Sequence, residues 1–155
     1  MPPVPLNREF AFTLTDVARL LKTYVDQRAR QFGISRAQWA VLFRLDRFEG
    51  LKQSELAELL DLQPISLTRL LDRLAANGLI QRQPDPNDRR ANRLYLTPAA
   101  RPLLEELSKL GADLMETVLE GVDRKTVERM LHDLIAVKTN LRTAIERNPP
   151  QAANG

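Results

Sequence analysis

Gln63-Pro64-Ile65-Ser66-Leu67-Thr68-Arg69-Leu70-Leu71-Asp72-Arg73-Leu74-Ala75-Ala76-Asn77-Gly78, together with the run Pro84-Asp85-Pro86-Asn87-Asp88-Arg89-Arg90 that follows shortly after, decides the fold of this 155-residue chain. Pro64 sits just inside a helix start, where a missing N–H costs nothing, and Asn77-Gly78 supplies a left-handed stop. Between them Leu67, Leu70, Leu71 and Leu74 recur at three- and four-residue steps and form a stripe to bury. Ser66, Arg69 and Arg73 follow the spacing i, i+3, i+7 and share the face opposite the leucines, with Thr68 and Asp72 beside it. Upstream, residues 53–60 read as a shorter helix that ends at Asp61-Leu62, so three residues separate the two helices. Downstream, residues 79–83 and 91–96 read as strands. The seven-residue loop between them holds two prolines, two aspartates and an asparagine, which is turn chemistry, and its tip should project. The order helix, turn, helix, basic hairpin is that of a winged helix-turn-helix.

The remaining chain is helical. Residues 7–30 carry Phe10, Leu14, Val17, Leu21 and Tyr24 as an apolar stripe, widened by Ala18 and Val25, and Gln31-Phe32-Gly33 ends it. Ser35 is a suitable N-cap for a second helix over residues 36–48 that buries Trp39, Val41, Leu42 and Leu45. The third helix, residues 53–60, should turn Leu56, Ala57, Leu59 and Leu60 inward. Its start is weakly marked, because Lys52 and Gln53 are poor caps, although Glu55 suits the positive helix end. Thr97-Pro98 reads as cap and first residue of a fifth helix reaching about residue 119, with Gly111 a point of bending. Asp123 caps a sixth helix carrying Val127, Met130, Leu131, Leu134, Ile135, Val137, Leu141 and Ile145. The fold class is therefore mainly α with a small β-hairpin wing: six helices, the wing between the fourth and fifth. We expect one chain, residues 1–155, with a reading lobe at 35–97, long helices at 7–30 and 98–147, and a disordered tail at 148–155. The first, fifth and sixth helices have more apolar stripe than one chain of this size covers. A two-fold homodimer that interleaves them resolves this, and closure within one chain as a bundle is the alternative.

Composition narrows the function. There is no cysteine and one histidine, His132. Disulfides, thiolate metal sites, cysteine nucleophiles and thiol switches are thereby excluded, and a histidine-rich metal site is disfavoured. No apolar run approaches a membrane span, and the start lacks the pattern of a secretory signal. Net charge is only +3, but it is unevenly placed. Residues 62–101 hold seven basic side chains (Arg69, Arg73, Arg82, Arg89, Arg90, Arg93, Arg101) against three acidic ones (Asp72, Asp85, Asp88), an excess of four. All seven are arginine, whose planar fork suits phosphates and guanine edges.

These features point to double-stranded DNA. A recognition helix needs leucines to fix it and arginines with short polar groups to reach base edges, while an arginine at a wing tip can enter a narrow minor groove. A solvated helix face, with Asp72 paired to Arg69, is the competing reading of the fourth helix. An ordinary turn with incidental charges competes at the wing, but it leaves Arg89, Arg90 and Arg93 unexplained.

The segments Leu67-Thr68-Arg69-Leu70-Leu71-Asp72-Arg73-Leu74, Asn77-Gly78-Leu79-Ile80 and Asp88-Arg89-Arg90-Ala91-Asn92-Arg93-Leu94-Tyr95-Leu96-Thr97 together resemble the MarR family of transcriptional regulators. Gln63-Pro64 with Asp88-Arg89-Arg90-Ala91 is most similar to its SlyA-like branch. The resemblance covers nearly the whole chain. It implies a homodimer on pseudo-palindromic promoter DNA, with a ligand cleft between the dimerisation helices and the reading lobe. It places Arg69 at the base-contacting position, Arg90 at the minor-groove wing arginine and Asp88 at the acidic residue that braces the wing. With Pro64, Ser66, Thr68, Arg73 and Arg89 these form the expected DNA-binding set. Lys52 departs from the family, where a capping hydroxyl is usual.

The resemblance also implies a small aromatic acid or phenol as effector and no cofactor. Tyr24, Phe32, Trp39 and Phe43 either line an apolar cleft, with Arg19, Arg28 or Arg30 pairing an anion, or belong to the core with the arginines at the surface. The residues alone favour the core. The functional expectation is a DNA-binding regulator, repressing or activating by countersilencing, in the bacterial cytoplasm at the nucleoid. A winged protein-interaction module without specific DNA binding is the alternative. An enzyme is disfavoured by the lack of a Cys/His pair, a metal-ligand cluster or a glycine-rich phosphate loop.

Overall fold

A computed structural model describes residues 5–148; of the tail expected to be disordered, residues 149–155 lie outside the described residues. Six α-helices and one hairpin follow in order: α1 Leu6–Ala29, α2 Arg36–Arg47, α3 Gln53–Leu60, α4 Pro64–Ala76, β1 Ile80–Pro84, β2 Asn92–Leu96, α5 Ala100–Val118 and α6 Arg124–Arg147. A single 3-10 turn, Arg30–Phe32, closes α1 on Gly33, which takes the left-handed conformation at φ 68°. The chain divides into two compact units within α5, one reaching to Leu114 and the other starting at Met115.

In the first unit the core is built from every element. Val41, Leu42 and Leu45 of α2, Leu56 of α3, Leu67, Leu71 and Leu74 of α4, Leu94 of β2 and Leu107 of α5 are all fully buried. Each such side chain contributes about 1.5–3 kcal/mol through burial, so α4 is held by three anchors along one stripe. Trp39 packs with them against Gly111, and α5 runs through that glycine unbroken. The Trp39 ring comes within 3.6 Å of where a Gly111 Cβ would stand, an ordinary packing distance. In α3 the burial differs from expectation. Leu56 and Ala57 are buried and Leu60 half-buried, but Leu59 is exposed. At about 100° per residue, Leu59 falls outside the arc that the other three share.

The helix starts follow local chemistry. Ser35 caps α2 with a reciprocal box: its Oγ accepts from the Gln38 N–H, and Gln38 Oε1 accepts from the Ser35 N–H. At α3 only half of such a box exists. Glu55 Oε2 accepts from the Lys52 N–H at 2.8 Å, while an ammonium has no acceptor to return. The start of α3 is instead fixed from outside, because Lys52 also bridges Arg93 of β2 in antiparallel fashion. Asp61 ends α3 in the left-handed region, φ 50°, and Leu62 N–H closes on the Ala57 carbonyl. Thr97 does not cap α5 as expected. Its hydroxyl donates to the Gly78 carbonyl and its N–H to that of Leu79, and α5 starts at Ala100, two residues after the expected Pro98.

β1 and β2 pair antiparallel in a register that sets Ile80 opposite Leu96 and Pro84 opposite Asn92. Gly50 lies against β2 and is buried: its N–H donates to the Leu94 carbonyl, and a Cβ would come within 3.3 Å of the Tyr95 hydroxyl. With φ 80° as well, this position requires glycine.

Taken by themselves, α1 and α6 are under-covered. Only the last turn of α1 is anchored by a fully buried residue, Ala29, and Phe10, Phe12, Val17 and Leu20 are exposed. The 24-residue α6, capped by Asp123 through the Thr126 N–H, has no buried residue. Leu131, Leu134, Ile135, Leu141 and Ile145 are all exposed along it.

Candidate nucleic-acid interface

The candidate surface is made by the outward face of α4 and the loop between β1 and β2. Leu67, Leu71 and Leu74 turn the opposite face of α4 into the core, which puts Ser66, Arg69 and Arg73 in solvent, as expected. Thr68 is half-buried and engaged: it donates to the Pro64 carbonyl and accepts from Gln53 Nε2 at 2.8 Å, tying α3 to α4. Asp72 pairs with Arg82 of β1 at 2.7 Å and not with Arg69. Pro64 is exposed at the first position of α4.

At the wing, Asp88, Arg89 and Arg90 are exposed. Asp88 closes the tip through backbone: its Oδ1 accepts from the Arg90 N–H at 3.0 Å, and its carbonyl accepts from the Ala91 N–H. The deeper anchor is Asp85, which the sequence marks only by turn composition. Its side chain is fully buried, and Oδ1 accepts from the N–H groups of both Asn87 and Asp88. Its Oδ2 meets Arg93 Nε at 2.7 Å and Lys52 Nζ at 3.9 Å. Arg93 continues to the Gly50 carbonyl. The Asn87 N–H, then Arg93, hold the Asp85 carboxyl below its ordinary value against the opposing effect of burial, and Lys52 adds a smaller pull. An aspartate followed by Pro-Asn is an Asx-turn signal, which is the trace of this anchor in the sequence.

These pairings sort the seven arginines. Arg82 is held by Asp72, Arg93 by Asp85 and Arg101 by Asp46. Among the described residues Arg69, Arg73, Arg89 and Arg90 have no acidic partner. The excess charge thus resolves into four uncommitted guanidinium groups, two on α4 and two on the wing. Of these four only Arg90 lines an open cleft of about 510 Å³, whose other walls are Gln53, Ser54 and Ala57 of α3, Pro64 of α4, and Asp88, Ala91 and Asn92 of the wing.

The four aromatics lie away from this cleft. Trp39 is core, Tyr24 and Phe32 are half-buried against it, and Phe43 is exposed, its ring 5.9 Å from that of Trp39. A second cavity, of about 420 Å³, is lined by Asp26, Arg30, Gly33, Ile34 and Ser35 and takes in one of the arginines considered for anion pairing. His132 is exposed beside Asp133. Among the described residues no group of acidic, histidine or cysteine side chains could hold a metal ion, and no helix is long and apolar enough to cross a membrane.

Comparison with known proteins adds the following. A model of the MarR family matches residues 34–91. The solved transcriptional regulator PA3341 is 32% identical over 86% of this chain and 98% of its own, with a TM-score of 0.78. Wild-type MarR from E. coli, in its apo form, is 26% identical, covering 88% of this chain and 98% of its own with a TM-score of 0.73. The transcriptional regulator SlyA is 21% identical, covers 92% and 98%, and shares the fold with a TM-score of 0.77.

Proposed function

Because the chain belongs to the MarR family, we propose that it is a sequence-specific regulator of transcription that binds double-stranded DNA as a homodimer. In this reading α4 enters the major groove and the wing tip the adjacent minor groove. Pro64, Ser66, Thr68, Arg69 and Arg73 form the first contact set, Asp88, Arg89 and Arg90 the second. Arg69 reads bases, Arg90 enters the minor groove, and Thr68 and Asp88 hold their neighbours in place. The observation that carries this reading is the sorting of the arginines. Three of seven are neutralised by aspartates, and the four left over sit on the two elements that a duplex would meet.

The dimer is supported by α1 and α6, each long and each with exposed apolar side chains on its own surface. Two-fold symmetry makes the operator pseudo-palindromic, with half-sites one helical turn apart. We place the protein in the SlyA-like branch, at the nucleoid in the bacterial cytoplasm, non-enzymatic and acting as a repressor or a countersilencing activator. A small aromatic acid or phenol releases it, with Tyr24, Phe32, Trp39 and Phe43 nearest to such a ligand. The test is a gel-shift titration on the DNA upstream of its own coding sequence. The wild type should prefer that duplex to a scrambled one, and Arg69→Ala should lose roughly 1–3 kcal/mol of the preference. Failure of the wild type to bind any duplex would leave the winged fold as a protein-interaction module.

A further inference from the structure

We propose that Ile65 is a specificity-determining residue that reads the C5-methyl group of a thymine in the major groove. The inference rests on the DNA-binding reading above and extends it to a side chain that no charge argument selects. Among the aliphatic residues of α4, Leu67, Leu71 and Leu74 are fully buried and Leu70 packs on the core, whereas Ile65 is 63% exposed. A lone exposed aliphatic residue is ordinary on a protein surface, so exposure does not decide the matter. Its position does. At about 100° per residue, Ile65 lies about 40° from Arg69 and 20° from Asp72 around the helix, and directly opposite Leu74. It is therefore at the middle of the outward face, in the first turn, where a recognition helix presents side chains to base edges.

The neighbours on that face sharpen the assignment. Thr68 is hydrogen-bonded to Gln53 and to the Pro64 carbonyl, and Asp72 is paired with Arg82. Of the four side chains at the centre of the face, only Ile65 and Arg69 remain uncommitted. Arg69 supplies donors. Ile65 supplies none and accepts none, so the base edge that suits it is the one carrying a methyl group, which only thymine presents. Cytosine at the same place would leave its amino group facing hydrocarbon and without a partner. The β-branched side chain is stiff at χ1, so little rotamer freedom is lost on contact.

The experiment selects the preferred duplex for the wild type from a randomised pool. Each thymine in one half-site is then replaced by deoxyuridine, which removes only the methyl group. One thymine per half-site should prove sensitive, its replacement weakening wild-type binding about fourfold, the effect of burying one methyl. The Ile65→Ala variant should show less than about a third of that sensitivity at the same thymine, following the same methyl-burial estimate. Wild-type binding that is indifferent to deoxyuridine at every thymine overturns the assignment while leaving specific DNA binding intact. So does equal sensitivity in Ile65→Ala. Recovery of no preferred duplex at all overturns the functional reading itself, and the assignment with it.

Discussion

Arg89→Gln and Arg101→Gln each remove one positive charge from an exposed position, yet they should behave differently toward DNA. Arg89 has no acidic partner among the described residues, whereas Arg101 is paired with Asp46 at 3.1 Å. A phosphate contact displaces a condensed counterion and adds about 0.9 to the slope of log affinity against log salt concentration. With four uncommitted arginines on α4 and the wing of each chain, a dimer offers eight such groups on these elements, which together contribute about 7 to the slope if all meet phosphates. At a slope of about 7, raising salt from 50 to 200 mM would cost about 10⁴-fold in affinity. Removing Arg89 from both protomers should lower the slope by about 1.8. Arg101→Gln should change it by less than about 0.5, because its charge is already matched by Asp46. Fluorescence anisotropy on a labelled non-specific duplex of about two turns, titrated between 50 and 300 mM KCl, measures this without knowledge of the operator. Equal slope changes for the two variants would refute the sorting of arginines, since net charge alone would then govern binding.

Further outcomes follow from the same geometry. Asp85 has its pKa lowered by the Asn87 N–H and Arg93, so its contribution to stability is complete above its ordinary value of 3.8 and is lost as pH falls through the lower folded-state value. Urea midpoints of the wild type should fall more steeply below pH 4 than those of Asp85→Asn, which has no such carboxylate to protonate; parallel profiles would remove Asp85 as the anchor of the wing. Leu71→Ala, at a fully buried site on α4, should destabilise by about 2–5 kcal/mol in urea unfolding. A loss under 1 kcal/mol would mean that the leucine stripe does not hold the helix. Replacing Leu131 and Ile135, both exposed on α6, with glutamate should convert the dimer to monomer in light scattering with helicity retained. An unchanged mass would place the interface elsewhere.

Much of the fold could be read along the chain because its signals are local. Pro64 and the Asn77-Gly78 stop bracket α4 where the structure has it, and the Ser35–Gln38 pair starts α2 one residue before Arg36. The inward faces of α2 and α4 followed from leucine spacing. Local signals failed where a distant group competes for the same atoms. Thr97 has the composition of a cap but spends its hydroxyl on Gly78, nineteen positions back. Lys52 cannot cap, yet α3 starts on schedule because Arg93 bridges it from the hairpin.

The candidate interface divides along the same line. Helical periodicity alone sets Arg69 on the face away from the buried leucines, with Ser66 and Arg73 on its flank, and turn composition alone marks the loop that carries Asp88, Arg89 and Arg90, all of them exposed. Which arginines remain available was decided only by the folded chain. Arg82 meets an aspartate ten positions away, Arg93 one eight positions away, and Arg101 one fifty-five positions away. An ion pair depends on separation through space, and a chain that folds back on itself sets that separation independently of position along it.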